Sequence, residues 1–207
     1  MPLKHTIAIV TLAAAIALPA TAHAAIVASA VTPLNVRSGP GPQYPVIGAI
    51  PANGKATIIG CIDGSLWCQV SVAGKQAWAY SKYLTATLSG RSLVVAEDLA
   101  KFPATTYQAP VATVGSAAPL PVVTGTIVDR PATGAPLVLT PPATVRDYVV
   151  AHPVQPVYLN GEVVVGSGLP PEVALAPVPS YQYQYAYVNG VPVLVEPQTR
   201  EVAYVYQ

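Results

Sequence analysis

Few side chains in this sequence can do chemistry, and their spacing narrows what they could do. Cys61 and Cys68 are its whole thiol inventory. Two cysteines are too few for a protein-only zinc site, and no second Cys or His pair stands beside them. Asp63-Gly64 lies between them, flanked by apolar runs at 56–62 and 66–72, so the two residues read as facing positions on antiparallel strands joined by a short turn. A disulfide there would close a small loop and add about 2–3 kcal/mol in chain-entropy terms. A redox role fits poorly, because low-potential pairs sit closer together and at helix starts. His152 precedes Pro153 with no partner at ligand spacing, so it reads as a surface or helix-end residue and no metal site is assigned.

Enzymatic chemistry fails on the same inventory. A Cys-His peptidase needs a free thiol and an oriented His, whereas both thiols are expected in a bridge. A glycosidase needs two converging carboxyl groups. Here Asp63 lies in a turn, Glu97 and Asp98 in a proline-rich region, and Glu162, Glu172, Glu196 and Glu201 are scattered near turns or strand edges. No glycine-rich phosphate loop leads from a strand into a helix. The expectation is a noncatalytic protein with no catalytic residue and no cofactor.

Positioning elements follow from composition and pattern. Charged residues are only 9% of the 207, against about 25% in an ordinary domain, while 52% are hydrophobic. Membrane spans are nevertheless unexpected after the first 25 residues, because 23 Pro and 15 Gly interrupt nearly every stretch that could build one. Residues 1–24 read as a signal peptide: Lys4 and His5, the apolar run Ile7 to Leu18, Pro19, then Ala22-His23-Ala24. Cleavage between Ala24 and Ala25 would deliver the chain to the periplasm or the exterior, where disulfides persist. No Cys stands at that point to take a lipid. Loss of Lys4 with the leader leaves nine basic and nine acidic side chains, which gives no electrostatic reason to expect nucleic acid or an anionic membrane as partner.

Residues 25–86 predict a small all-β barrel, with apolar segments at 27–31, 34–36, 46–50, 56–61, 66–72 and 76–80 separated by turn residues, and one short helical turn at 81–83. Residues 87–143 read as a Pro/Ala-rich linker, largely disordered, with eight Pro between Pro103 and Pro142 and one helical hint at 93–102. The third unit, 144–207, predicts a helix at 144–151 capped by Thr144, and a tight hairpin of 157–159 and 162–165 around Asn160-Gly161. A three-strand meander follows: Tyr183, Tyr185 and Tyr187 in alternation, Asn189-Gly190, a return at 191–195, and a last strand at 202–206. The fold class is mainly β: barrel, linker, then a small meander domain with one short helix.

Leu34-Asn35-Val36-Arg37-Ser38-Gly39-Pro40-Gly41, followed by Tyr44 and Val46-Ile47-Gly48, resembles the opening of a bacterial SH3-like domain, and Gly74 to Tyr80 with Tyr83-Leu84 resembles its end. The match spans about 31–86. In the strand, Leu34 and Val36 point inward while Asn35 and Arg37 point outward or bond the following turn. The ending, about 145–207, resembles a domain family of unknown function from Gram-negative envelopes, on Gly166-Ser167-Gly168-Leu169-Pro170, Pro177-Val178-Pro179, Val188-Asn189-Gly190 and Val193 to Pro197 with Thr199-Arg200. Its strand and proline layout is loosely similar to periplasmic proteins of nickel and cobalt homeostasis.

The first resemblance implies a targeting module for cell-wall peptides or another envelope ligand. Under it the contact residues are Tyr44, Trp67, Trp78, Tyr80 and Tyr83, since aromatic rings offer large area at small conformational cost. Trp78 fits core or groove floor. Arg37 fits either a ligand carboxylate or a bond to its own turn. The expected partner is therefore peptidoglycan or an envelope protein. The alternatives are a structural or stress-related periplasmic protein acting through protein contacts or self-association of an exposed, Tyr-rich strand and, more distantly, a protein of metal homeostasis.

Overall fold

A computed structural model describes residues 25–108, 121–128 and 139–207. Residues 1–24, read above as a signal peptide ending at Ala24, and residues 109–120 and 129–138 of the stretch read as linker lie outside the described residues. Nine strands build the first unit: β1 (Ile26–Ala30), β2 (Leu34–Arg37), β3 (Val46–Ile50), β4 (Lys55–Ile62), β5 (Trp67–Val72), β6 (Lys75–Tyr80), β7 (Leu84–Leu88), β8 (Arg91–Val94) and β9 (Ala104–Thr105). They form one sheet in the order β3-β2-β6-β5-β4-β1-β7-β8, antiparallel throughout, with β9 parallel to the end of β4. Alternation along the strands sends Leu34, Val36, Ile50, Ile58, Val70 and Leu84 into a single core. Cys61 and Cys68 face each other across β4 and β5 and are disulfide-bonded inside that core. A 3-10 turn at Ser81–Tyr83 stands where the short helical turn was expected.

The barrel unit continues beyond residue 86, into sequence read as linker. Val95 and Phe102 are buried in the barrel core, held by 3-10 turns at Val95–Glu97 and Leu99–Lys101 rather than by one helix over 93–102. Cys61 donates its backbone N–H to the Pro103 carbonyl at 2.8 Å, which seats the 103–108 segment on β4. Gly60 permits the approach: a Cβ there would lie 2.8 Å from Thr105 Cβ and 3.0 Å from the Pro103 oxygen.

The second unit comprises β10 (Gly125–Thr126), helix α1 (Ala143–Ala151), β11 (Leu159–Asn160), β12 (Ala176–Pro177), β13 (Gln184–Val188), β14 (Val191–Glu196) and β15 (Glu201–Val205). The last four make an antiparallel meander, β12-β13-β14-β15. Asn189 and Gly190 both adopt positive φ, 54° and 80°, as a two-residue hairpin turn requires. One sheet face packs Ala186, Val188, Val193, Val195 and Val202 against Ile127, Leu159, Val163, Leu169 and Val173. The other packs Tyr185 and Leu194 against Val145 and Val149 of α1.

Three local expectations are corrected here. The helix starts at Ala143, one residue early, with Pro142 and not Thr144 at the cap position. Pro suits such a helix start, since the first turn leaves its N–H groups unpaired in any case. The 157–165 hairpin does not form. Val157 bridges in parallel to Val188 and β11 pairs in parallel with β10, so that backbone is already engaged before Gly161 (φ +106°) turns the chain away. The tyrosines of β13 are not an exposed row. Tyr185 is buried, and the Tyr185 and Tyr187 hydroxyls donate to the carbonyls of His152 (2.7 Å) and Val149 (3.2 Å), partnering carbonyls at the end of α1. His152 is exposed at that helix end, stacked on Tyr148 at 4.2 Å.

Candidate functional site

Two outward faces of the barrel carry the residues that the sequence singled out, and they differ in what covers them. All four residues of β2 are buried, both the inward Leu34 and Val36 and the outward Asn35 and Arg37. The second unit is the cover. Arg37 Nε and Nη2 donate to the two carboxylate oxygens of Glu162 at 2.5 and 2.8 Å, a bidentate pair, and Asn35 Nδ2 adds a third bond at 3.1 Å. Arg37 Nη1 meets the carbonyls of Pro42, Tyr44 and Asn189 at 2.8–2.9 Å.

Arg37 is 0% exposed and Glu162 1%, so Arg37 cannot hold a ligand's carboxylate. The carboxylate it holds is the chain's own, and the turn carbonyls that were its other expected partners, Pro42 and Tyr44, accept from Nη1. Asn189 organises the far side of this junction. Its side chain accepts from the Leu159 N–H (2.8 Å) and donates to the Gly161 carbonyl (3.0 Å), which fixes the loop presenting Glu162. Sequence patterning marked Asn189 only as a turn residue and Glu162 only as a strand start; neither spacing nor composition signals a partner more than 120 positions away. Val164 joins the barrel core and Val46 packs on the second unit's core, so apolar contact flanks the ion pair.

The second face lies on β5 and β6. Register places Trp67 opposite Tyr80, Gln69 opposite Trp78 and Ser71 opposite Gln76, so these side chains share the outer face while Cys68, Val70, Ala77 and Ala79 fill the core. Trp67, Trp78 and Tyr80 are buried in a separate aromatic cluster with Tyr83 half-buried beside them. That cluster includes Tyr107, which the sequence did not single out because it follows β9 in the stretch read as linker. Its ring stands edge-on to both Trp78 and Tyr44, 5.5 Å from each. Burial first, and then the Tyr107 hydroxyl beside it, hold the Tyr44 phenol above its ordinary value of 10.0. Gly60 was the one local signal for this segment, since a glycine inside a strand marks close approach of another backbone.

A groove of about 410 Å³ opens between these parts. Trp78 and Tyr107 line it together with Ser38, Ile47, Gln69 and Gln76, and Thr106 and Gln108 complete its wall from the docked segment. Of the six residues expected to contact a ligand, Trp78 alone lines this groove; Tyr44 supports it through Tyr107, Trp67, Tyr80 and Tyr83 pack in the adjoining cluster, and Arg37 is sealed. Ile47, the extra residue of a bulge between β2 and β3, is 55% exposed at the rim. Gln69 Nε2 donates to Gln76 Oε1 at 3.2 Å across the strands, leaving Gln69 Oε1 as an acceptor and Gln76 Nε2 as a donor for a ligand. Among the described residues no three His, Cys, Asp or Glu side chains gather into a metal cluster. The polar lining of the groove is hydroxyls and amides, which suit hydrogen-bonded binding.

Among the described residues no helix is long and apolar enough to cross a membrane, and the disulfide fits an oxidising compartment. No curated protein matches the chain. Two family models do match parts of it: residues 32–85 fit the bacterial SH3 domain, which supports a binding role, and residues 148–207 fit a domain of unknown function, DUF1236. The buried pair runs from one match to the other, Arg37 in the first and Glu162 in the second, while Tyr107 lies in neither. The chain thus joins a bacterial SH3 domain to a DUF1236 domain through a shared buried ion pair.

Proposed function

We propose that the protein is a noncatalytic, exported binding protein of the cell envelope whose SH3 barrel attaches it to peptidoglycan through the groove over Trp78. The observation that carries this is the contrast on the barrel itself: the signature face is filled by the chain's own Glu162, while an amide-lined, aromatic-floored groove stays open beside it. The leader, with cleavage after Ala24 into the periplasm, and the disulfide suit that location. DUF1236 serves as the second half of the support, covering β2 and fixing the barrel's outward Arg.

Co-sedimentation of the purified full chain with isolated sacculi tests this. The expected result is retention that falls several-fold in the Tyr107→Ala variant, which removes a half-buried groove wall and no barrel-core side chain. Absence of retention, or retention equal in the variant, overturns wall binding through this groove.

A further inference from the structure

We infer that the groove takes an uncharged N-acetylated sugar chain, the glycan part of the wall, and not its charged peptides; this deepens the wall-binding function proposed above and rests on it. None of the side chains lining the groove carries a charge at neutral pH, since its polar groups are hydroxyls and amides beside the Trp78 indole. The barrel's cation on the adjoining strand, Arg37, is paired with Glu162 and sealed from solvent. A peptide carboxylate or ammonium buried here would lose its hydration without gaining a partner of opposite charge, which is costly. Hydroxyl and acetamido groups would instead find the acceptor of Gln69, the donor of Gln76 and the Ser38 hydroxyl.

The apolar part of the lining has the complementary shape. Tyr107 and Trp78 form one wall and floor, and the exposed Ile47 side chain forms a rim, so one surface offers aromatic and aliphatic contact beside amides. A sugar ring is itself amphipathic in that way, with C–H faces and a polar edge. A volume of 410 Å³ falls within the roughly 300–1,000 Å³ of pockets that hold small ligands. Tyr107, Thr106 and Gln108 come from outside the residues matched to the SH3 family, so the groove depends on how this chain folds its own 103–108 segment back onto β4.

Titration calorimetry of the full chain with tetra-N-acetylchitotetraose, with a free wall tetrapeptide and with pentaglycine decides the matter. The expected result is saturable binding of the sugar alone, unchanged between low and high salt because the ligand is neutral. Gln69→Ala with Gln76→Ala should weaken it about tenfold, as loss of one or two hydrogen bonds does. Sacculi retained without sugar binding overturn the glycan assignment and leave wall binding standing. Binding of either peptide in place of the sugar overturns it in favour of a peptide ligand. If neither sugar nor sacculi bind, the wall-binding function falls as well.

Discussion

One rung of the barrel sheet holds both halves of a comparison. Arg37 on β2 pairs with Trp78 on β6, and Trp78 pairs with Gln69 on β5. At one end of that rung the outward side chain is a cation with no exposed surface, tied to Glu162 and three carbonyls. Two strands away the outward side chain is an amide half-open to solvent, bonded only to its neighbour Gln76. Trp78 between them is met edge-on by the Tyr107 ring of the returning 103–108 segment, and the two line the groove together. The sheet is the same; what differs is which part of the chain comes back to lie on it. Binding capacity on such a small barrel is decided by its coverings as much as by its own signature residues.

The strongest way to break the comparison is to remove the covering charge. Glu162→Gln leaves the Arg37 guanidinium buried without a counter-charge, a defect that costs about 3–5 kcal/mol. Urea unfolding should show a loss of that size. Calorimetry should also turn one cooperative transition into two, because the ion pair, Val164 and the Asn189 carbonyl join the domains. A loss below about 1 kcal/mol would mean that the closed face is incidental to the fold.

A second test separates the open face from its wall. In Gly60→Val the new side chain collides with Thr105 and the Pro103 carbonyl, so β9 must lift from β4. Overpacking of this kind costs about 1–3 kcal/mol, less than the broken ion pair because a two-strand edge contact can move aside. Limited proteolysis should then cut within 103–108, and sugar binding should fall as Tyr107 leaves Trp78. A resistant segment with binding intact would show that Gly60 does not seat the strap.

Much of this was legible in sequence, for local reasons. The barrel strands, the Cys61–Cys68 bridge and the Asn189-Gly190 hairpin follow from alternation and turn chemistry, which act over a few residues. Glu162 and Tyr107 were missed because their meaning lies in distant partners. Glu162 looked like a hairpin strand start, but its backbone neighbours pair with β10 and β13, which freed the side chain to reach Arg37. Tyr107 follows Pro103 in a proline-bearing stretch whose composition suggested an extended linker. An extended segment is also what adds most easily to a strand edge, and a single glycine in β4 provided the room. The outward direction of Asn35 and Arg37 was read correctly; the domain that shuts them in could not be inferred from periodicity within β2.

The smallest expected effect is the sharpest for the comparison. Gln69→Ala with Gln76→Ala removes two amides whose mutual bond lies in solvent. Water replaces such a bond at little cost, and surface changes away from cores and caps stay within about 0.5 kcal/mol. The double variant should therefore melt with the parent while losing sugar affinity. Glu162→Gln should do the reverse, losing stability first. If the amide variant instead unfolds early, these glutamines hold the β5–β6 pair together and the groove is a by-product of packing. If it melts with the parent, stability and binding are assigned to different outward faces of one sheet. The buried arginine then belongs to the fold, and the amides two strands away belong to the ligand.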